Sequence, residues 1–218
     1  MWAEVEASVT AVRARLREHG LDVRATVEPC EGLLCGYRDG VVRLTLPTLS
    51  TPEGTLRATL LGAMMGVEGP EVAWLFRALL PRLIAHEFGH ALRDEAGLLS
   101  GDVCVEEQVA DRVATLVSAP LISARDTARA AEMLSFVTSR LGGANEAAAL
   151  HRHAAIARQR LGLGAPDDVT SRARDTLQHT YWRDVNAYLR LTSAWAWLDL
   201  TLNQRDDFDA LRRDHFTA

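Results

Sequence analysis

Beyond Pro52 the apolar residues of this 218-residue chain recur at three- and four-residue intervals almost to the end, which confines β structure to a short N-terminal stretch. Two runs there suit strands, Val23 to Val27 and Val41 to Leu46. Arg38-Asp39-Gly40 supplies a turn before the second run, and Pro47 ends it. Ahead of them Val5, Val9, Val12 and Leu16 predict an amphipathic helix over Glu4 to His19 that stops at Gly20. These patterns predict an α+β fold, predominantly helical, with a small N-terminal β-sheet.

The helical part divides at its prolines and glycines. Helices are expected over Glu53 to Met65 and Pro70 to Leu80, and Pro81 suits the first turn of another. Gly97 and Gly101 bracket a loop, and helical spacing resumes over Val105 to Ser118 until Pro120. Further helices are expected over Ala124 to Leu141, Asn145 to Leu161 and Thr170 to about Arg213. With no repeat or linker between these pieces, the expectation is one domain over 1–218. Within it, 1–120 forms a core carrying an insertion at 52–80, and 121–218 forms a C-terminal helical layer.

A formal net charge of −5 provides no basic surface of the kind that neutralises phosphates, so direct nucleic-acid binding is not expected. The first twenty residues mix acids and arginines with apolar residues and lack a secretory h-region, which predicts a cytoplasmic protein. The most apolar stretches, Trp74 to Ile84 and Leu191 to Leu202, fall short of the roughly 20 apolar residues a membrane span needs. Cys30, Cys35 and Cys104 are expected as thiols. A Cys30/Cys35 disulfide or metal clip, and a Cys104 thiolate near the histidines described next, are the alternatives.

His86-Glu87-Phe88-Gly89-His90 places two imidazoles four residues apart, on one face of a helix, where both reach a single ion with Glu87 beside them. Ile84, Phe88, Ala91 and Leu92 form a separate apolar stripe, and Gly89 would let another element approach closely. Downstream, Glu107 and Asp111 are again four apart, with Val109, Val113, Leu116 and Val117 on the buried side. Glu107 is the candidate third ligand. Glu106 is its immediate rival, but only Glu107 has a carboxylate at i+4, and that partner, Asp111, suits the outer N–H of His86.

HEFGH followed by EQVAD resembles the gluzincin zinc metallopeptidases, and IAHEFGHAL with EEQVADRVATLVSAP is similar to the ImmA/IrrE family over roughly Leu83 to Pro120. The resemblance implies a zincin-like packing of the sheet on the motif helix. It implies one Zn2+ held by His86, His90 and Glu107, with Glu87 as general base. It also implies an edge strand along which an extended substrate lies, a role open to Val41 to Leu46. The length of the insertion at 52–80 departs from typical members.

The implied activity is hydrolysis of a peptide bond in a restricted protein target, with a DNA-binding repressor as the class the likeness suggests. Gluzincins bring a His or Tyr from beyond the metal helices to the oxyanion, for which His151, His153, His179 and Tyr181 are candidates. His151 and His153 lie two apart and cannot share a helix face. Tyr181, Trp182, Tyr188, Trp195 and Trp197 suit core packing better than a ligand cage. A zinc-bearing interaction protein with little or no proteolysis is the alternative from another class. A di-iron bundle would need a second Glu-x-x-His, which the chain lacks.

Overall fold

The computed structural model describes residues 2–30, 35–65, 67–99, 103–141 and 208–216. In chain order these form α1 (Trp2–Glu18), β1 (Thr26–Pro29), β2 (Gly36–Arg38) and β3 (Val41–Leu44). They continue with α2 (Pro52–Met65), α3 (Gly69–Ala78), α4 (Leu80–Glu95), α5 (Val103–Ser118), α6 (Ala124–Leu141) and a C-terminal helix (Phe208–His215). The fold is α+β, mostly helical with one three-stranded sheet. Among the described residues no helix is long and apolar enough to cross a membrane. The expected helix over Asn145 to Leu161 and most of that over Thr170 to Arg213 lie outside the described residues.

Local chemistry accounts for the helix ends. At α1 the Gly20 N–H bonds to the Arg17 carbonyl and the Leu21 N–H to that of Leu16, with Gly20 at φ +74°. This is a Schellman closure, sealed by the buried Leu16 and Leu21. The same closure ends α4, where Gly97 at φ +68° bonds to Asp94 and Leu98 to Arg93. Thr51 Oγ1 accepts the Gly54 N–H at the start of α2, whose first residue is Pro52. Leu79 alone separates α3 from α4, because Pro81 has no N–H to continue the ladder.

The sheet differs from the sequence expectation in two respects. The first run of β structure sits at Thr26–Pro29 rather than Val23 to Val27, since the Glu95 carboxylate takes the N–H groups of Arg24 (2.9 Å) and Ala25 (3.0 Å). An additional strand, β2, joins β3 through Asp39 (φ 51°) and Gly40 (φ 79°), a two-residue turn with both central residues left-handed. The strand order is β1-β3-β2, with β1 parallel and β2 antiparallel to β3. β3 is therefore central, so Val41 to Leu46 is not the edge it was expected to offer. The strand ends at Leu44, where the Thr45 N–H turns to the Cys35 sulfur, 3.4 Å away.

Val42 and Leu44 of β3 enter a core shared with Val5, Val12 and Leu16 of α1, Ile84 and Phe88 of α4, and Val113 and Val117 of α5. The C-terminal helix closes this core with Phe208 and Leu211. A second, smaller core joins the insertion to α6, through Leu61, Val72, Leu75 and Ala130, with the Arg129 guanidinium 3.9 Å over the Trp74 ring.

α4 and α5 pack closely against each other. A Cβ added to Gly89 would stand 2.7 Å from the Ala110 Cα, so the two backbones meet at a separation only glycine permits. Glycine to alanine inside a helix ordinarily stabilises by about 1 kcal/mol. Gly89→Ala is instead expected to destabilise the protein by about 1–3 kcal/mol through overpacking. Its urea-unfolding midpoint should fall, and a rise would contradict this account of the helix pair.

Candidate metal centre

α4 and α5 each present one polar face to the other across the Gly89 contact. The α4 stripe of Ile84, Phe88 and Ala91 is fully buried, which turns His86 and His90 toward α5. Val109, Val113 and Val117 anchor α5 in the same way and turn Glu107 and Asp111 toward α4. The Nε2 atoms of His86 and His90 are 3.3 Å apart. Glu107 places Oε2 3.2 Å from His86 Nε2 and Oε1 3.6 Å from His90 Nε2.

These separations test whether an ion fits. Tetrahedral zinc with ligand bonds of about 2.0–2.2 Å holds its ligand atoms about 3.3–3.6 Å apart. The separation of the two imidazole nitrogens, 3.3 Å, falls within that span, and the two Glu107 oxygens, at 3.2 and 3.6 Å from their respective nitrogens, lie close to it. His86, His90 and Glu107 form a group able to hold a metal ion, and it is the one such group among the described residues. The donors, two imidazoles and one carboxylate, match zinc chemistry.

The outer atoms fix the inner ones. His86 Nδ1 lies 2.9 Å from Asp111 Oδ1; with the proton on Nδ1, the lone pair of Nε2 faces His90 and Glu107. Burial opposes charge on His86, but the Asp111 and Glu107 carboxylates outweigh it and hold the imidazole well above its usual range. Burial and the neighbouring His86 drive His90 down to about 4.

Glu87 lies beside this cluster, 8% exposed. Burial pushes its carboxyl up to about 7, opposed by the His86 charge and by a hydrogen bond from the Tyr37 backbone N–H of β2. Tyr37 ties β2 to α4 at a second point, its hydroxyl donating to Asp94 Oδ2 at 2.6 Å. The hydrogen bond from the Tyr37 N–H, absent from any sequence motif, links Glu87 to β2.

Glu106, the rival ligand, is held elsewhere. Arg93 Nε and Nη2 donate to Glu106 Oε2 and Oε1 at 2.8 and 2.9 Å, and its remaining contacts reach the carbonyls of Leu98 and His215. Arg93 and Arg82, both buried in α4, are the site's supporting residues that sequence patterning missed. The available signal was their spacing, which puts both arginines on the helix face of His86 and His90.

His151, His153, His179 and Tyr181, proposed for the oxyanion, lie outside the described residues, as does the side chain of Cys104. Cys35 is a free thiol, and Cys30 and Cys35 stand apart. They flank β3 from opposite sides, Cys30 bonding the Leu44 carbonyl and Cys35 contacting Thr45. Two strand spacings of about 4.8 Å exceed the reach of a disulfide. No family model, curated protein or solved structure matches this chain.

Two outcomes follow. Glu106→Gln leaves the buried Arg93 cation without its carboxylate and is expected to cost about 3–5 kcal/mol in urea denaturation; an unchanged midpoint would refute the clamp. Burial, reinforced by the Glu87 carboxylate, pushes the Cys35 thiol from 9.0 up to about 12. Because that folded value is raised, its stabilising effect holds below pH 9 and fades as pH rises toward 12. At pH 8 only about one Cys35 in ten thousand is a thiolate. Iodoacetamide should label it slowly until urea is added, as peptide mapping will show; rapid labelling of the folded protein would contradict the shift.

Proposed function

We propose that this chain is a zinc-dependent endopeptidase of gluzincin type, similar to the ImmA/IrrE family, with a zincin-like arrangement of sheet and motif helix. The observation that carries this reading is the triangle of His86 Nε2, His90 Nε2 and the Glu107 carboxylate, with edges of 3.2–3.6 Å, beside the buried Glu87. When bound, zinc supplies Lewis-acid chemistry, lowering the pKa of a water toward about 7 and polarising a carbonyl.

The chain's own residues do the rest. Glu87 accepts the proton that the attacking water loses, and returns it to the departing nitrogen as the C–N bond breaks, giving a carboxylic acid and an amine. The Tyr37 N–H hydrogen-bonds its carboxylate and favours the charged form that accepts a proton. Among the described strands β2 is the edge beside α4, so an extended substrate would add to β2 rather than to Val41 to Leu46. A restricted protein target, with a DNA-binding repressor as the class suggested by the family likeness, is the proposed substrate.

Glu87→Gln keeps the ligand set and removes the base. The variant is expected to retain one zinc per chain by elemental analysis while cleavage of a peptide library, followed by mass spectrometry, falls by about 10²–10⁴. Cleavage at the wild-type rate would overturn the role of Glu87. Zinc binding by wild type without any cleavage would instead favour a zinc-bearing interaction protein.

A further inference from the structure

Arg82 lies in α4 one turn before His86, on the face turned to α5, and is 7% exposed. Its guanidinium reaches across to two residues of α5 that are themselves one turn apart. Nη1 donates to Thr115 Oγ1 at 2.8 Å, and Nη2 stands 3.5 Å from Asp111 Oδ1. That same Oδ1 lies 2.9 Å from His86 Nδ1. One oxygen therefore meets both the guanidinium and the imidazole, in a relay that leaves α4 at Arg82, crosses to Asp111 and returns to α4 at His86.

We propose that Arg82 is a positioning residue for the metal centre, acting on His86 through Asp111. A buried carboxylate is stable only when its charge is matched and its oxygens are hydrogen-bonded. Arg82 supplies the charge, and its second arm on Thr115 fixes the angle from which it does so. The position of Asp111 Oδ1 sets the orientation of the His86 ring, since a ligand histidine is aimed by the partner of its outer nitrogen. A planar fork suits this task because it spans one turn of α5 in a single geometry. A plain staple between the helices would use the same contacts but would have no effect on metal affinity once the protein is folded.

The inference rests on the proposed metal centre, and a double-mutant cycle separates the two. Zinc dissociation constants are measured by competition with a chromophoric chelator for wild type, Arg82→Met, Asp111→Asn and the double variant, all verified as folded by circular dichroism. Arg82→Met is expected to weaken zinc binding by about 10–100-fold, with little further loss when added to Asp111→Asn. Wild-type affinity in Arg82→Met, or an equal loss in both backgrounds, would overturn the relay. Should Arg82→Met fail to fold, Arg82→Lys takes its place in the same cycle with the same criteria, because it keeps the charge and stem but lacks the fork. A wild-type protein that binds no zinc would remove the metal centre itself, and the relay with it.

Discussion

The contact of Gly89 with Ala110 brings α4 and α5 to a separation that no larger residue at position 89 would allow. Ala110 lies between Glu107 and Asp111 in sequence, and Gly89 sits next to His90, so the polar atoms of both helices are held opposite one another around that crossing. Apolar burial supplies the force, through Phe88 and Ile84 on one side and Val113 and Val117 on the other. The glycine sets the distance at which that force comes to rest. Widening the crossing by one methyl group would draw Glu107 away from His86 and His90, which it now approaches to 3.2 and 3.6 Å.

Three carboxylates on α5 face choices that α4 resolves. Arg93 grips Glu106 near one end of the helix pair and Arg82 meets Asp111 toward the other. Glu107, between them, is turned to the imidazoles. Sequence spacing favoured Glu107 over Glu106 because of its partner at i+4, and the geometry adds a reason that no spacing rule contains. Glu106 balances a buried guanidinium, and that same guanidinium reaches backbone carbonyls of the α4–α5 connection and of the C-terminal helix.

The helices among the described residues were legible because their signals are local. Gly20 and Gly97 mark closures that depend on residues at most five positions away, and Thr51-Pro52 and Pro81 act within one turn. The helix faces of His86/His90 and Glu107/Asp111 followed from a period of 3.6 residues. β2 was missed because Gly36–Arg38 is too short to show alternation, and its pairing is decided by β3 and α4. Thr26–Pro29 replaced Val23 to Val27 because Glu95, about seventy residues along the chain, had already claimed the amides of Arg24 and Ala25. Arg82 and Arg93 share the histidine face by spacing but were missed, since a buried cation becomes meaningful only once its partner on another helix is known.

The docking of the C-terminal helix also bears on how the molecule is made. Phe208 stacks on His19 at 3.6 Å between ring centres, Leu211 is fully buried, and the His215 carbonyl completes the coordination of Arg93. A ribosome-bound chain that has already released α1, α4 and α5 still lacks this wedge, and its core remains open along one side until Phe208–His215 emerge. Such long-range closure slows folding, because distant segments must be brought together before their contacts contribute. The core around the helix pair bearing the histidines therefore closes only when a segment 122 residues beyond Arg93 has joined it.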